Sequence, residues 1–195
     1  QDYSPAVTTN DALKPVSRYW DRITRPEQLM SSLIRAFEVL TDPAKGGPVT
    51  ICICQDTEGE AYDYDEVFFQ KRVHYLDRLE PVERELVAAE QQIRSSKKPV
   101  IVVGGGAKYS GAREELIRFS ETYGIPLVET QAGKSTVEYS FPHNLGGLGV
   151  TGTLAANKAA READLIIGVG TRYTDFATSS KTAFDPENTR FVNIN

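Results

Sequence analysis

The chain has 195 residues, of which 40% are hydrophobic and 25% charged, a composition typical of a globular protein with a sizeable core. Its net charge of −5 argues against a nucleic-acid groove or an anionic membrane surface as a partner. No apolar run approaches the roughly 18 residues of a membrane span and no signal peptide is visible, so we expect a cytoplasmic protein.

The first part of the chain predicts one helix and one strand. Residues 1–23 are polar and we expect them to be irregular. The segment Thr24–Glu27 has a capping-box pattern that predicts the start of a helix. That helix would bury a stripe of five apolar side chains, namely Leu29, Leu33, Ala36, Phe37 and Leu40. A strand over residues 48–54 follows, and it carries the only cysteines of the chain.

These cysteines, Cys52 and Cys54, are two positions apart, so in a strand both point to one face. We expect them to be buried structural thiols, because a metal site needs more ligands than two. Residues 55–80 lack a clear period and are rich in acidic residues and tyrosine, which predicts an ordered linker across a surface.

From residue 81 onward the sequence alternates predicted helices and strands. The elements in order are a helix opened by Pro81, strand 99–103, helix 110–123, strand 126–130, a long loop 131–149, helix 152–162, strand 164–169 and strand 191–195. Repeated strand–turn–helix units require a parallel sheet with helices on both faces, an α/β fold. Such sheets bind ligands at the carboxyl ends of their strands, where several glycines of this chain lie.

Two glycine-rich strings have more than one interpretation. Gly104–Gly106 follows a strand, and it is either a phosphate cradle with Ser110 capping the next helix or a tight turn that requires positive φ. Gly147–Gly152 matches the dinucleotide fingerprint, but the residues before it are predicted as loop rather than strand. We therefore expect its glycines to let the loop pass close to another backbone.

The remaining polar candidates do not form a recognisable catalytic or metal-binding pattern. Arg172 and Asp175 follow a strand, where they could bind a polar ligand, although pairing with each other is favoured. His143 is predicted to be a loop residue with no nucleophile nearby. The sequence therefore assigns neither a catalytic residue nor a metal ligand.

The order of five segments resembles thiamine-diphosphate-dependent enzymes of the acetolactate-synthase and pyruvate-oxidase type. These segments are Gly47–Asp56, Lys98–Gly106, Gly124–Pro126, Leu145–Asn157 and Ala163–Arg172. The resemblance implies that residues 1–57 are the C-terminal part of a pyrimidine-binding domain and residues 58–80 a linker. Residues 81–195 would be a central domain with a Rossmann-like parallel sheet, truncated at its C-terminal end.

Four further stretches are similar to one branch of this family, whose members are ring-opening hydrolases that cleave a C–C bond in a cyclic ketone. They are Asp11–Thr24, Gly59–Tyr64, Glu129–Ser135 and Thr171–Thr178. The resemblance implies a small-molecule substrate, a homo-oligomer (dimer or tetramer), and thiamine diphosphate with Mg²⁺ in the complete enzyme. In the family, the activating glutamate precedes the segment that begins here at Gln1, and the Gly-Asp-Gly metal and diphosphate motif follows Asn195. We therefore expect a non-catalytic piece of a longer polypeptide.

The central domain of some relatives binds a flavin or adenine nucleotide. The matching positions in this chain are Gly105, Gly106, Thr130, Gln131, Gly149, Thr151, Gly170 and Arg172. Flavin-binding relatives commonly carry histidine where this chain has Thr151, so the resemblance implies a vestigial nucleotide site without FAD. Two alternatives stay open: another enzyme of the acetolactate-synthase type, or a stand-alone nucleotide-binding module.

Overall fold

The computed structural model describes residues 8–42, 46–76 and 78–195. The chain divides into two compact units, Gln1–Glu80 and Pro81–Asn195.

The first unit contains a two-stranded parallel sheet, helix α1 and shorter helical segments. Its regular elements are a 3-10 helix Thr9–Val16, β1 Tyr19–Ile23, α1 Gln28–Thr41, β2 Val49–Ile53, α2 Gln55–Glu58 and a 3-10 helix Glu66–Phe69. Strand β1 pairs with β2 from Tyr19–Val49 to Ile23–Ile53. The prediction that residues 1–23 are irregular is therefore wrong for 9–16 and 19–23, because pairing with β2 makes a strand of a polar sequence that has no clear strand signal. Residues 1–7 lie outside the described residues.

Helix α1 begins differently from its predicted capping box. The side-chain Oε1 of Gln28 accepts hydrogen bonds from the backbone amides of Thr24 (2.7 Å) and Arg25 (3.0 Å). Glu27, the predicted capping residue, makes no side-chain capping bond and instead pairs with Arg25 at 3.2 Å. The capping function thus falls to the glutamine one position later, whose longer reach covers both amides.

Burial in the first unit is shallower than the sequence predicts. In the α1 stripe Ala36 is buried, whereas Phe37 is 51% and Leu40 56% exposed. Cys52 and Cys54 are free and only half-buried, so the prediction of buried thiols is wrong. The physical reason is that a two-stranded sheet has few neighbouring side chains with which to cover each face.

The segment predicted as an ordered linker carries aromatic contacts. Tyr64 stacks on Phe68 with ring centroids 5.4 Å apart and meets Tyr62 edge-on at 4.8 Å. Its hydroxyl donates to the carbonyl of Pro26 at 3.0 Å. This part of the segment is therefore attached to the loop that precedes α1.

The second unit is built on a five-stranded, all-parallel sheet in the order β5-β4-β3-β6-β7. The strands are β3 Pro99–Val103, β4 Leu127–Glu129, β5 Asn144–Gly147, β6 Leu165–Val169 and β7 Arg190–Ile194. The helices are α3 Glu83–Ser95, α4 Gly105–Tyr109, α5 Arg113–Tyr123 and α6 Leu154–Glu162.

The central strand β3 shows why helices cover both faces. Ile101 and Val103 point into a core shared with side chains of α3, α4 and α5. Val100 and Val102 point into a second core with the α6 residues Ala156 and Ala160. All four β3 side chains are at most 3% exposed, as expected for a strand buried on both faces. The predicted α/β fold, a Rossmann-like parallel sheet with helices on both faces, is confirmed.

Two elements differ from their predicted form. The predicted helix 110–123 is α5, which begins at Arg113, and a separate short helix, α4, precedes it; the chain turns between them at Gly111, whose φ is +71°. Strand β5 lies inside the predicted loop 131–149. Its sequence Asn-Leu-Gly-Gly has no β-branched residue, so only pairing with β4 identifies it as a strand.

Candidate functional site

The glycine turn after β3 is a close contact between two backbones. The amide of Gly104 donates to the carbonyl of Val169 at 2.8 Å, and the amide of Gly106 donates to that of Gly170 at 2.9 Å. A Cβ on Gly106 would lie 2.7 Å from the Cα of Gly170. Side chains at these positions would therefore push β3 and β6 apart at their carboxyl ends.

Neither predicted interpretation of this turn describes it. None of the three glycines has positive φ; the left-handed residue is Gly170, at φ +59°. Ser110 does not cap the next helix, because it ends α4 and donates its hydroxyl to the carbonyl of Ala107 at 3.2 Å. The amide of Gly106 is committed to Gly170, which removes it from a phosphate cradle.

The second glycine string, Gly147–Gly152, follows a strand, so the prediction that a loop precedes it is wrong. Strand β5 ends at Gly147 and helix α6 begins at Leu154, so the string does connect a strand to a helix. The amide and carbonyl of Gly149 are both bound by the side chain of Asn157, at 2.9 Å each. The amide of Gly152 donates to the carbonyl of Gly149 at 2.9 Å. These backbone groups are therefore hydrogen-bonded within the loop and to α6, and they hold the loop closed.

Gly149 confirms the expected close approach to another backbone. Its φ is +101°, and a Cβ there would collide with the carbonyl oxygen of Phe176 and lie 2.8 Å from the Cα of Ala177. The amide of Val150 donates to the same Phe176 carbonyl at 3.1 Å. A glycine is required here for both reasons.

The structure brings the predicted nucleotide positions to one edge of the sheet in three groups. Gly106 meets Gly170 after β3 and β6, the adjacent Gly105 faces Ala132, and Gly149 lies in the loop before α6. Gln131 and Thr151 are joined by a hydrogen bond of 3.1 Å from Nε2 to Oγ1. These contacts link the loops that follow β4 and β5.

Arg172 is exposed, and the predicted ion pair between it and Asp175 is absent from the part of the chain that the structure describes. The carboxylate of Asp175 instead accepts from the hydroxyl of Ser180 at 3.3 Å. Between the two lies Tyr173 in a left-handed conformation, with φ 48°. Because the chain turns at Tyr173, Arg172 and Asp175 are close in sequence but do not form an ion pair.

A cavity of about 460 Å³ lies at the carboxyl ends of β4 and β5. Three of the predicted positions line it, namely Thr130, Gln131 and Thr151. It is also lined by Glu129, which is 5% exposed and whose Oε1 accepts the amide of Val137 at 3.1 Å. Sequence reasoning missed Glu129; the available signal was an acidic residue ending an otherwise apolar strand.

His143 has a serine neighbour that its sequence context did not suggest. Its Nδ1 lies 2.9 Å from the hydroxyl of Ser120. That hydroxyl donates its single proton to the carbonyl of Ile125 at 2.6 Å, so Nδ1 must be the donor in the contact with His143. Ser120 is fully buried, so the pair holds the loop before β5 and cannot act as a nucleophile.

Metal-ligating side chains are not clustered in the part of the chain that the structure describes. Within residues 8–42, 46–76 and 78–195, no group of three or more His, Cys, Asp or Glu side chains is placed to hold a metal ion. The string Gly-Asp-Gly does not occur in the 195 residues.

Over the same described ranges, none of the helices has the length and apolar character needed to cross a bilayer.

Comparison with known proteins identifies the family to which this chain belongs. The profile of the family described as "Thiamine pyrophosphate enzyme, central domain" matches residues 86–195, which contain the whole five-stranded sheet. The chain belongs to this family.

Three highly similar relatives bear the name 3D-(3,5/4)-trihydroxycyclohexane-1,2-dione hydrolase. The relative from Bacillus velezensis is 80% identical over 195 residues, and that from Bacillus subtilis strain 168 is 78% identical over the same span. A relative from Listeria monocytogenes serotype 4b is 69% identical over 192 residues. The matches cover 98–100% of this chain but only 30–31% of each relative, so the chain spans about a third of their length.

Proposed function

We propose that this chain is part of a thiamine-diphosphate-dependent hydrolase that opens the ring of trihydroxycyclohexane-1,2-dione to 5-deoxyglucuronate. The observation that carries the proposal is the 80% identity to the Bacillus velezensis relative over all 195 residues. That identity extends through the first unit, which lies outside the family match of 86–195. A likeness confined to the central domain would fit other enzymes of the acetolactate-synthase type equally well.

Within that enzyme we assign residues 1–57 to the C-terminal part of the pyrimidine-binding domain, 58–80 to the linker and 81–195 to the central domain. The small two-stranded sheet of the first unit supports this assignment, because so few strands and helices bury little core by themselves. Thiamine diphosphate and Mg²⁺ would be bound by other domains, and we assign no catalytic residue to this chain.

We further infer that the edge of the central sheet is a vestigial nucleotide site. It comprises Gly105, Gly106, Thr130, Gln131, Gly149, Thr151, Gly170 and Arg172. The amides of Gly106 and Gly149 are committed within the chain, and the hydroxyl of Thr151 accepts from Gln131. We expect FAD and ATP to leave the melting temperature of the chain unchanged, because a ligand that binds the native state must raise it. A saturable rise would favour a nucleotide-binding module instead.

A chimeric enzyme tests the proposed activity. This chain replaces the matching segment of the Bacillus subtilis relative, and ring opening is measured with thiamine diphosphate and Mg²⁺ present. We expect the chimera to be active and the isolated chain to be inactive. The same exchange with the Listeria segment, 69% identical to this chain, is the matched control.

The outcomes of this exchange separate the alternatives. A chimera that folds and binds the cofactor but fails to open the ring, while the Listeria control succeeds, would overturn the proposal. Formation of acetolactate from pyruvate would favour the other enzyme class. Light scattering on the active chimera would test the expected dimer or tetramer, and fractionation of the source cells would test the expected cytoplasmic location.

A further inference from the structure

Cys52 and Cys54 lie on one face of the small sheet in the first unit. Cys52 belongs to β2, and Cys54 follows that strand in extended backbone, with φ −67° and ψ 140°. The amide of Cys54 donates to the carbonyl of Ile23 at 3.1 Å, so the pairing of β1 with β2 continues through this residue. Because side chains alternate along a strand, the two thiols point to the same side. Both are free and half-buried.

The spacing of these thiols is too wide for a disulfide. Neighbours on one face of a strand lie about 6.6 Å apart, whereas the Cβ atoms of a disulfide lie within about 4.5 Å of each other. A bridging metal replaces one sulfur–sulfur bond of about 2.05 Å by two metal–sulfur bonds of about 2.3 Å each. The bridge becomes longer by roughly 2.5 Å, which matches the spacing along the strand. The extended backbone therefore holds the thiols at the separation that a metal chelate requires.

The number of ligands selects the metal. In the part of the chain that the structure describes, no third His, Cys, Asp or Glu side chain joins the two cysteines in a group that could hold a metal ion. Structural zinc takes four ligands and iron–sulfur clusters take four cysteines, and for these metals the expectation that two thiols are too few holds. Cu(I) is a soft ion that prefers thiolate sulfur, and two thiolates can hold it in line. Two thiols alone therefore favour Cu(I) over Zn²⁺.

The charges on the sheet agree with this choice. Arg22 pairs with Cys52 in the parallel register of β1 and β2, and residues paired in this way point to the same side of a sheet. Two thiolates with one Cu(I) carry a net negative charge, which a guanidinium on the same face offsets. The carboxylate of Asp21 belongs to the other face, where it accepts the hydroxyl of Tyr19 at 3.0 Å.

We propose that Cys52 and Cys54 form a two-coordinate site for Cu(I). Each thiol releases its proton to solvent when the ion binds, and no electron is transferred, so two thiols and Cu(I) give a bis-thiolate complex and two protons. The site lies in the first unit, whereas all the vestigial nucleotide positions belong to the second. It gives a role to two thiols that the proposed reaction does not use, and it does not depend on that reaction.

Competition with the coloured Cu(I) chelator bathocuproine disulfonate tests the proposal on the 195-residue chain. Without oxygen and with ascorbate as reductant, each chain should withdraw one Cu(I), which is measured as loss of the absorbance of the chelator complex. We expect Cys52→Ser and Cys54→Ser each to lower the affinity about a hundredfold or more, because a single thiol loses the advantage of a chelate. Zn²⁺ should bind far more weakly than Cu(I) to the wild-type chain.

Ile53→Val is the matched control, because it changes the residue between the two cysteines on the opposite face of the strand. This variant should bind Cu(I) like the wild-type chain. Circular dichroism shows whether each variant is folded, and the corresponding alanine variants carry the test if a serine variant is not.

Oxidation with diamide tests the spacing of the thiols. The folded chain should form no disulfide between Cys52 and Cys54, as followed by mass spectrometry of its peptides. The same treatment in urea should join them, because the unfolded chain bends freely between the two residues.

Four results would overturn the proposal. Two concern the ligands: wild-type affinity for Cu(I) in either serine variant, or one Cu(I) shared between two chains. A third is binding of Zn²⁺ as tight as that of Cu(I), which would show that further ligands are present. The fourth is a disulfide that forms as readily in the folded chain as in urea, because the strand would then not hold the thiols apart.

Discussion

Asn157 on α6 binds both backbone polar groups of Gly149. Its Oδ1 accepts the Gly149 amide and its Nδ2 donates to the Gly149 carbonyl, each at 2.9 Å. Because an amide side chain carries one donor group and one acceptor, this pairing fixes its orientation. The contact ties the glycine loop after β5 to the first turn of α6, although the loop residue is held in a left-handed conformation at φ +101°.

Substitution of Asn157 should therefore loosen this loop. Asn157→Ala leaves the Gly149 amide without a partner and removes one of the two hydrogen bonds to the Gly149 carbonyl, which Gly152 also binds, so it should lower the free energy of unfolding by about 1–3 kcal/mol. Asn157→Asp can still accept the amide but turns a carboxylate oxygen toward the carbonyl, so it should also destabilise. Urea denaturation followed by circular dichroism measures both changes. Lys158→Ala, an exposed change next to it, is the control, and equal stability of all three variants would contradict the prediction.

The three glycines after β3 should differ sharply in their tolerance of alanine. A Cβ on Gly106 meets the Gly170 backbone at 2.7 Å, and a Cβ on Gly104 would collide with the Gly170 carbonyl oxygen. The nearest atom to a Cβ on Gly105 would be the Cβ of Ala132, at 3.1 Å, and the nearest backbone atom would be the carbonyl oxygen of Ala132, at 3.4 Å. We expect Gly104→Ala and Gly106→Ala to lower the free energy of unfolding by about 1–3 kcal/mol or more.

Gly105→Ala is the control within the same turn, and its effect should be small. Urea denaturation of the three variants under identical conditions measures the order. A variant series in which Gly105→Ala is the most destabilised would show that the β3–β6 contact does not control this turn.

Asp164 should make the stability of the second unit depend on acid pH. Burial acts to raise the pKa of this carboxyl, but the amides of Lys97 and Lys98, at 2.7 and 2.9 Å, together with Arg190, hold it below its ordinary value of 3.8. A carboxyl with a depressed pKa in the folded state stabilises the protein above its ordinary pKa. That contribution is lost as pH falls through the lower, folded pKa.

Asp164→Asn should thus lower the free energy of unfolding by about 1 kcal/mol near neutral pH, a value that allows for the partial exposure of the side chain. In strong acid the loss should be smaller. The free energy of unfolding of wild type and variant, measured from neutral pH down to about pH 3, gives this difference. Asp175→Asn, which is exposed, serves as the control. A penalty that stays constant across that range would count against the carboxylate as its source.

Tyr173 should make the stability of the second unit depend on alkaline pH. Burial raises the pKa of Tyr173 from its ordinary 10.0 to about 12, and its hydroxyl donates to Asn193 at 2.7 Å. Between these values the unfolded chain loses the proton while the folded chain keeps it, so stability falls as pH rises from about 10 to about 12.

Tyr173→Phe should remove that part of the alkaline loss. The slope of unfolding free energy against pH, measured above about pH 9, should be shallower in this variant than in wild type. Tyr109→Phe at an 88% exposed position is the control. Identical slopes in the wild type and the Tyr173 variant would rule out the buried phenol as the cause.

The central strands were predictable because their signal is local. Strand β3 coincides with the predicted 99–103, since a strand buried on both faces needs a continuous apolar, β-branched run. Strand β5 was not predictable, because Asn144 and two glycines carry no such signal. It is held by pairing with β4 and by the Asn144 side chain, which donates to the carbonyl of Val137 at 3.2 Å.

The candidate site likewise has one part that the sequence predicted and one part that it did not. Glycines that follow strands indicated the edge of the sheet at which Gly106 and Gly170 meet. The buried environment of Glu129 could not be foreseen, because it depends on the loop residue Val137 folding back over the end of β4. The contact between His143 and Ser120 likewise joins residues 23 positions apart.

The sequence by itself determined the α/β class, the central strands and family membership, because strand burial and glycine spacing are properties of short segments. Only the tertiary structure decided which backbone amides are already hydrogen-bonded within the chain and where a buried carboxylate faces a cavity. The amide of Gly106 is bound by Gly170 on another strand end, and that of Gly149 by Asn157, eight positions later on α6. Hydrogen-bond satisfaction is a property of the assembled fold, and no local pattern carries it.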